Sequence, residues 1–181
     1  MNVKNFTQEL KIPDGITIIA EKGIVTVKGP EGEVIKKLLS PIVNIEVKDN
    51  KVVFNIAKMT KREKTILGTF TSHINNMIKG VQEPYVYKLK ICSGHFPMNI
   101  NIANGELSIK NFIGEKVPRV LKLKEGADVK MEGEVITVTS VSKEIAGHVA
   151  SDIELLTRRP GFDSRIFQQG IFITEKAGKA V

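Results

Sequence analysis

The stretch Gly23-Ile24-Val25-Thr26-Val27-Lys28-Gly29-Pro30-Glu31-Gly32-Glu33 decides how the chain is organised. It recurs without a gap 82 residues later as Gly105-Glu106-Leu107-Ser108-Ile109-Lys110-Asn111-Phe112-Ile113-Gly114-Glu115. Gly23/Gly105, Lys28/Lys110, Gly32/Gly114 and Glu33/Glu115 are identical, while Val25/Leu107 and Val27/Ile109 keep their character. Upstream, Ile16-Thr17-Ile18 falls on Met98-Asn99-Ile100, and downstream Val47-Lys48 falls on Val129-Lys130, at the same offset. A fixed self-similarity of this kind marks a duplicated structural unit.

The residues around the repeat give each unit its elements. In the first, alternating runs over Thr17–Ala20, Ile24–Lys28, Ile42–Lys48 and Lys51–Ala57 predict strands, broken at Lys22-Gly23, at Gly29-Pro30-Glu31-Gly32 and at Asp49-Asn50. A helix is expected after the capping box Thr60-Lys61-Arg62-Glu63, carrying Ile66, Leu67, Phe70, Ile74, Met77 and Ile78 on one stripe and stopping at Gly80. In the second, Tyr85–Ile91, Asn99–Ala103, Glu106–Lys110, Ala127–Met131 and Val135–Val141 predict strands, with Asn104-Gly105 as a two-residue hairpin turn. The stripe Ile145, Ala146, Val149, Ile153 and Leu156 then repeats the helix at an offset of 79. Hairpin strands followed by one helix predict an α+β fold of two tandem duplicated domains, each of mainly antiparallel strands packed with one α-helix. The domains are expected at 1–82 and 83–181, with the boundary near Val81-Gln82-Glu83-Pro84.

Composition narrows the role. The 181 residues carry 27 basic and 20 acidic side chains, 27 − 20 = +7, with 41% apolar residues, which suits a folded domain pair with a polyanionic partner. Apolar runs such as Ile16 to Ala20 fall far short of the ~20 residues a membrane span needs. No secretory leader is expected, and the lone Cys92 permits no internal disulfide. A reducing cytoplasmic setting follows as the expectation.

Sites for chemistry are sparse. Cys92 and His95 lie three apart without an orienting group or further ligands. His73 and His148 sit beside the helical stripes as packing or solvent-facing residues. No catalytic residue, metal site or cofactor is expected, and the chain is not expected to be an enzyme. Gly29-Pro30-Glu31-Gly32 spells the GXXG of KH domains, but it follows a strand and puts an acid where a phosphate would approach, so a plain turn is expected.

The basic clusters remain: Lys36-Lys37, Lys58/Lys61/Arg62/Lys64, Lys88/Lys90, Lys116/Arg119/Lys122/Lys124, and Arg158-Arg159 with Arg165. The last differs in kind. Thr157-Arg158-Arg159-Pro160-Gly161-Phe162-Asp163-Ser164-Arg165-Ile166-Phe167 puts three arginines and two phenylalanines in a Pro/Gly-broken loop behind the helix. Arginine forks bind phosphate oxygens and stack on bases. Phe162 and Phe167 are candidates to stack on unpaired bases or, for Phe167 above all, to anchor the loop.

Tyr85-Val86-Tyr87-Lys88-Leu89-Lys90, His95-Phe96-Pro97-Met98-Asn99 and Asn111-Phe112-Ile113-Gly114-Glu115-Lys116, with the closing Phe167-Gln168-Gln169-Gly170-Ile171-Phe172-Ile173-Thr174-Glu175-Lys176-Ala177-Gly178, carry a further signal. They resemble the large-subunit ribosomal protein family numbered six in bacteria and nine in eukaryotes, in its archaeal or eukaryotic form. The resemblance covers nearly the whole chain. It implies a structural constituent of the large subunit that binds rRNA near the sarcin–ricin loop and the stalk base. Neighbouring stalk-base proteins and elongation factors would lie close by, and most contacts would come from the C-terminal half. The positions it nominates for rRNA are Arg158, Arg159, Arg165, Lys176 and Lys179, with Lys88, Lys90 and His95 behind them. The competing expectation is a free RNA-binding or RNA-chaperone module outside the ribosome.

Overall fold

The computed structural model describes residues 6–48, 50–56, 60–163 and 165–181. The expected strand end Ala57, the turn residue Asp49 and the basic Lys58 lie outside them. The chain divides into two compact units, Met1–Pro84 and Tyr85–Val181.

The first unit runs β1 (Phe6–Lys11), β2 (Thr17–Glu21), β3 (Ile24–Gly29), β4 (Gly32–Lys37), β5 (Val43–Lys48), β6 (Lys51–Ile56) and α1 (Lys61–Gln82). Two antiparallel three-stranded sheets, β1-β6-β5 and β2-β3-β4, present alternate residues to α1. Val25 and Val27 of β3, Val52, Phe54 and Ile56 of β6, and Leu67, Phe70, Ile74, Met77, Ile78 and Val81 of the helix are all buried. At the start of α1 the Thr60 N–H donates to the Glu63 carboxylate at 3.0 Å, as the capping sequence predicts.

Gly80 does not stop the helix. It is buried inside α1, and the helix continues to Gln82. Glu83 is extended (φ −142, ψ 118), its N–H closing on the Lys79 carbonyl at 2.8 Å. Pro84 enforces this end, because its ring excludes the helical conformation from the residue before it. The Gly29-Pro30-Glu31-Gly32 segment is a hairpin turn in which Gly29 pairs with Gly32. Its Glu31 N–H donates to Val81 O at 3.1 Å, so the turn is docked on the end of α1. A Cβ at Gly29 would lie 2.9 Å from that carbonyl oxygen.

The second unit runs β7 (Tyr85–Ser93), β8 (Asn99–Ala103), β9 (Glu106–Lys110), a 3₁₀ turn (Phe112–Gly114), β10 (Arg119–Lys122), β11 (Asp128–Glu132), β12 (Val135–Ser140), α2 (Lys143–Leu156), β13 (Gln169–Lys176) and β14 (Lys179–Ala180). A three-stranded sheet β10-β9-β8 and a five-stranded sheet β11-β12-β7-β13-β14 pack with α2. Tyr87 and Leu89, Leu107 and Ile109, Ile136 and Val138, and Ala146, Val149, Ala150 and Ile153 form the core. Asn104 (φ 53) and Gly105 (φ 75) make the predicted two-residue turn, with Ala103 paired to Glu106. Among the described residues no helix is long and apolar enough to cross a membrane.

The two units share one plan with local shifts. β2 and β3 match β8 and β9 at the expected offset of 82, as 99 − 17 and 106 − 24 show. Beyond β9 the gapless match ends. Ile24 pairs with Lys37, whereas Glu106 pairs with Lys122, an offset of 122 − 37 = 85. Three extra residues therefore enter the second hairpin, and Gly114-Glu115 lies in the 3₁₀ turn region while Gly32-Glu33 opens β4. The next hairpin shifts as well. Lys48 pairs with Lys51 and Glu132 with Val135, so Val47-Lys48 corresponds to Met131-Glu132 and not to Val129-Lys130. The helical stripe keeps its offset of 79, with Leu67, Phe70 and Ile74 replaced by Ala146, Val149 and Ile153. One addition separates the units. Among the described residues β1 is an edge strand, but its counterpart β7 is paired on its far side by β13, and the arginine loop leads into that strand.

Candidate nucleic-acid interface

The loop 157–168 is tied at both ends. At its start the buried Thr157 hydroxyl donates to Glu154 O at 2.9 Å and accepts the Ile171 N–H at 3.0 Å. The Glu154 carboxylate accepts the Ile173 N–H at 3.1 Å. Two side chains from the end of α2 thus satisfy N–H groups along β13. At the loop's end the buried amide of Gln169 takes the Phe96 N–H at 3.2 Å and donates to Phe96 O at 2.9 Å, which fixes the 94–98 segment beside the loop.

Between these ties the loop folds on itself. Ile166 and Phe167 N–H groups donate to Asp163 O at 3.1 and 2.9 Å. The Arg159 guanidinium lies 4.4 Å from the centre of the Phe162 ring. Phe162 meets Phe167 edge-on at 5.3 Å, and Phe167 meets the His95 ring at 5.7 Å. Beside this row opens a cavity of about 490 Å³, lined by Phe112, Phe162, Phe167 and Phe172 together with Glu154, Arg158 and Arg159. Three of those rings, Phe162, Phe167 and Phe172, are between 38% and 39% exposed.

The nominated cations fare differently. Arg158 is exposed and has no acidic partner within 4 Å among the described residues. Arg159 reaches Glu115 at 3.6 Å. Arg165 is exposed but clamped by Asp163, with Nε to Oδ1 at 3.1 Å and Nη2 to Oδ2 at 2.8 Å. Those bonds, with the Arg165 N–H to Oδ1, hold the Asp163 carboxyl below its ordinary range. Lys88 pairs with Glu175 at 2.7 Å. Lys90 is exposed opposite Phe172. His95 is exposed against Phe167.

The nominated residues do not form one cluster. Lys176 pairs with both Tyr87 and Lys179, whereas Lys88 pairs with Glu175, so Lys88 and Lys176 lie on opposite faces of the sheet. From Gln169 to Lys176 is seven residues of β13, roughly 23 Å at strand rise. The arginine loop and His95 lie together; Lys176 and Lys179 stand at the other end of the strand. Among the described residues no three His, Cys, Asp or Glu side chains converge as metal ligands. His73 bonds to Lys36 with Nζ to Nδ1 at 2.9 Å, and His148 is exposed on α2.

Sequence reasoning missed Arg119. In the row of basic residues it reads as surface charge, yet its Nη1 donates to Leu156 O at 2.6 Å, its Nε and Nη2 bind the two Glu115 oxygens at 2.8 and 2.7 Å, and its Cζ lies 4.3 Å from the Phe112 ring centre. The Arg119 hydrogen bonds outweigh partial burial and hold the Glu115 carboxyl below its usual range. No basic residue stands in the last turn of α2. Arg119 therefore supplies from another strand the cation that a helix C-terminus favours. Phe112 and Phe172 were also missed as part of the cavity. The alternation of buried Ile171 with exposed Phe172 was the available signal for the second.

Comparison with known proteins gives the chain a family. The profile of the family described as Ribosomal protein L6 matches residues 12–84. The large ribosomal subunit protein uL6 of Methanosarcina mazei is 39% identical over 175 residues, covering 97% of this chain and 99% of its own length. That of Nanoarchaeum equitans is 40% identical over 189 aligned residues, covering 100% of this chain and 98% of its own length. The protein of the same name from Natronomonas pharaonis is 39% identical over 167 residues, 92% of this chain and 94% of its own. The chain belongs to the uL6 family of large ribosomal subunit proteins.

Proposed function

We propose that the second unit docks this chain onto large-subunit rRNA near the sarcin–ricin loop and the base of the lateral stalk, with the arginine loop as its principal contact. As a uL6 protein the chain is a structural ribosomal component and not an enzyme; its position and its contacts are what is proposed. One observation carries the proposal: Arg158 stands exposed and unpaired among the described residues at the rim of a cavity walled by phenylalanines. Folded RNA offers both partners such a surface needs, phosphates for the cation and unstacked bases for the rings. Arg159 and Arg165 join once their acids yield to phosphate, while Lys90 and the Lys176–Lys179 end of the sheet add more distant charge. Stalk-base proteins are the neighbours and elongation factors the passing partners in this placement, in the cytoplasm.

Filter binding of the full chain to large-subunit rRNA tests it. Wild type should show a steep fall of log affinity with log salt, by about 0.9 per duplex phosphate bound. Combining Arg158→Ala, Arg159→Ala and Arg165→Ala should weaken binding and flatten that slope by about one for each phosphate the variant no longer neutralises. A slope near zero, or an unchanged slope in the triple variant, removes the phosphate role of the loop. Sucrose-gradient sedimentation of cell extract separates the ribosomal placement from a free RNA-binding module.

A further inference from the structure

Resting on the rRNA docking proposed above, we infer that the cavity beside the arginine loop is a receptor for a single nucleobase turned out of its RNA stack. A cavity of about 490 Å³ lies within the usual span for small ligands, about 300–1,000 Å³, so it suits one nucleotide and is too small for a helix. Its walls are rings, with Phe172 and Phe162 each more than a third exposed. Clustered exposed rings are a cost to a protein in water and mark a surface that something covers.

The polar groups say what covers it. Arg158 at the rim offers a fork for the backbone phosphate of the bound nucleotide, and unpaired bases stack readily on phenylalanine. Inside, Glu154 spends Oε1 on the Ile173 N–H and keeps Oε2 without a partner among the described residues. That oxygen accepts from an N–H on the base edge, as carboxylates do when they read exocyclic amines. The helix end and β13 fix its position through Thr157 and Ile173, so the acceptor is in place before the base arrives. A protein partner of the same shape would fill the rings but would not require the arginine and the carboxylate acceptor together.

The test uses the full chain bound to large-subunit rRNA. Ultraviolet crosslinking should attach nucleotides to peptides spanning 159–176, at Phe162, Phe167 or Phe172. In filter binding, Phe162→Leu with Phe172→Leu keeps apolar bulk but removes two π faces. It should lower affinity about five- to a hundredfold, as loss of base stacking does, while the salt slope stays at the wild-type value; Phe172→Tyr should bind as wild type. Glu154→Gln keeps an oxygen for Ile173 and turns the other position into a donor. It should weaken binding although it removes a negative charge from an RNA-facing surface, whereas a purely electrostatic carboxylate would give tighter binding. Unchanged affinity in the double phenylalanine variant, with crosslinks mapping elsewhere, overturns the receptor and leaves rRNA docking standing. Crosslinks from the cavity to a protein in intact subunits overturn it as well. Absence of rRNA binding by the wild-type chain overturns both the docking and the receptor.

Discussion

Replacing Arg119 with methionine should destabilise the second unit by about 3 kcal/mol, and the structure supplies the parts of that figure. The substitution keeps an unbranched apolar stem and removes the guanidinium, which is the part that lies over Phe112. The hydrogen bond from Nη1 to Leu156 O at 2.6 Å involves a charged donor, a class worth about 1.5–3 kcal/mol. The two bonds to Glu115 join side chains 21% and 28% exposed; a pair so placed contributes about 0.5–1 kcal/mol, near the upper end for accessible ion pairs. The contact with the Phe112 face at 4.3 Å adds about 0.5–1 kcal/mol. These groups share one side chain and do not add fully, which is why the sum is taken near its lower end. Hydrogen exchange followed by mass spectrometry reads the effect in the right place, because peptides from α2 and β13 report the second unit alone. For amides that exchange through opening of that unit, about 3 kcal/mol corresponds to exchange roughly a hundredfold faster. An acceleration below about fivefold there would refute the structural role. If exchange stays unchanged while the rRNA salt slope drops by about one, Arg119 is a phosphate contact after all.

Two further perturbations test the packing on which that account depends. Because its folded-state pKa lies below its ordinary value, Glu115 stabilises the second unit at pH above about 4.3, the unfolded value. That contribution is lost as pH falls through the folded value, so Glu115→Gln should lower the urea midpoint at neutral pH and flatten its decline into acid; parallel declines would contradict the Arg119 pairing. Gly29→Ala should destabilise the first unit by about 1–3 kcal/mol, the usual cost of overpacking, because its Cβ would sit 2.7 Å from a Val81 methyl and 2.9 Å from Val81 O. A thermal scan in which that variant unfolds with the wild type would show that the turn is not docked on α1.

The duplication was legible because it rests on short-range signals. Glycine at positive φ in Lys22-Gly23 and Asn104-Gly105 sets two-residue turns, and alternation on either side sets the strands. The 79-residue helical offset survived because burial selects the stripe, whatever the loops do. The slips came where tertiary structure overrides local pattern. Gly80 reads as a helix stop, yet it is buried inside α1, and Pro84 ends the helix. The gapless match through Gly114-Glu115 concealed three inserted residues, since insertions in a hairpin loop leave the flanking pairing intact. β10 was not expected at all. Arg119-Val120-Leu121-Lys122 sets two apolar residues side by side between cations and so lacks the alternation of a strand, and only pairing with Glu106–Ile109 makes it one. The candidate site was legible as composition, three arginines and two phenylalanines in a broken loop, but its third exposed ring, Phe172, and its carboxylate, Glu154, come from elements the loop does not contain.

Under the proposed docking the position of the charges matters more than their sum. Residues 1–82 carry 13 − 8 = +5 and residues 83–181 carry 14 − 12 = +2, so summed charge favours the first unit for a polyanion. In both units, however, several acids are spent on particular partners; in the first Glu33 binds Lys28, Glu46 binds Lys48 and Glu9 binds Lys51. In the second the pairs reach the loop. Glu115 binds Arg119 and Arg159, Asp163 binds Arg165, Glu175 binds Lys88 and Asp152 binds Lys124. Such pairs lower the count of available cations and also cancel acids that would repel phosphate. What is left at the cavity, among the described residues, is one arginine without an acidic partner beside exposed rings, together with the Glu154 carboxylate, which holds the Ile173 N–H. With screening over about 8 Å at physiological salt, a phosphate entering there responds to Arg158 and its immediate neighbours far more than to the summed charge of the chain. In the proposed docking RNA is therefore drawn by where a cation stands without an acidic partner and not by the total, and the Arg159–Glu115 and Arg165–Asp163 pairs, which leave the total unchanged, hold the loop that presents Arg158.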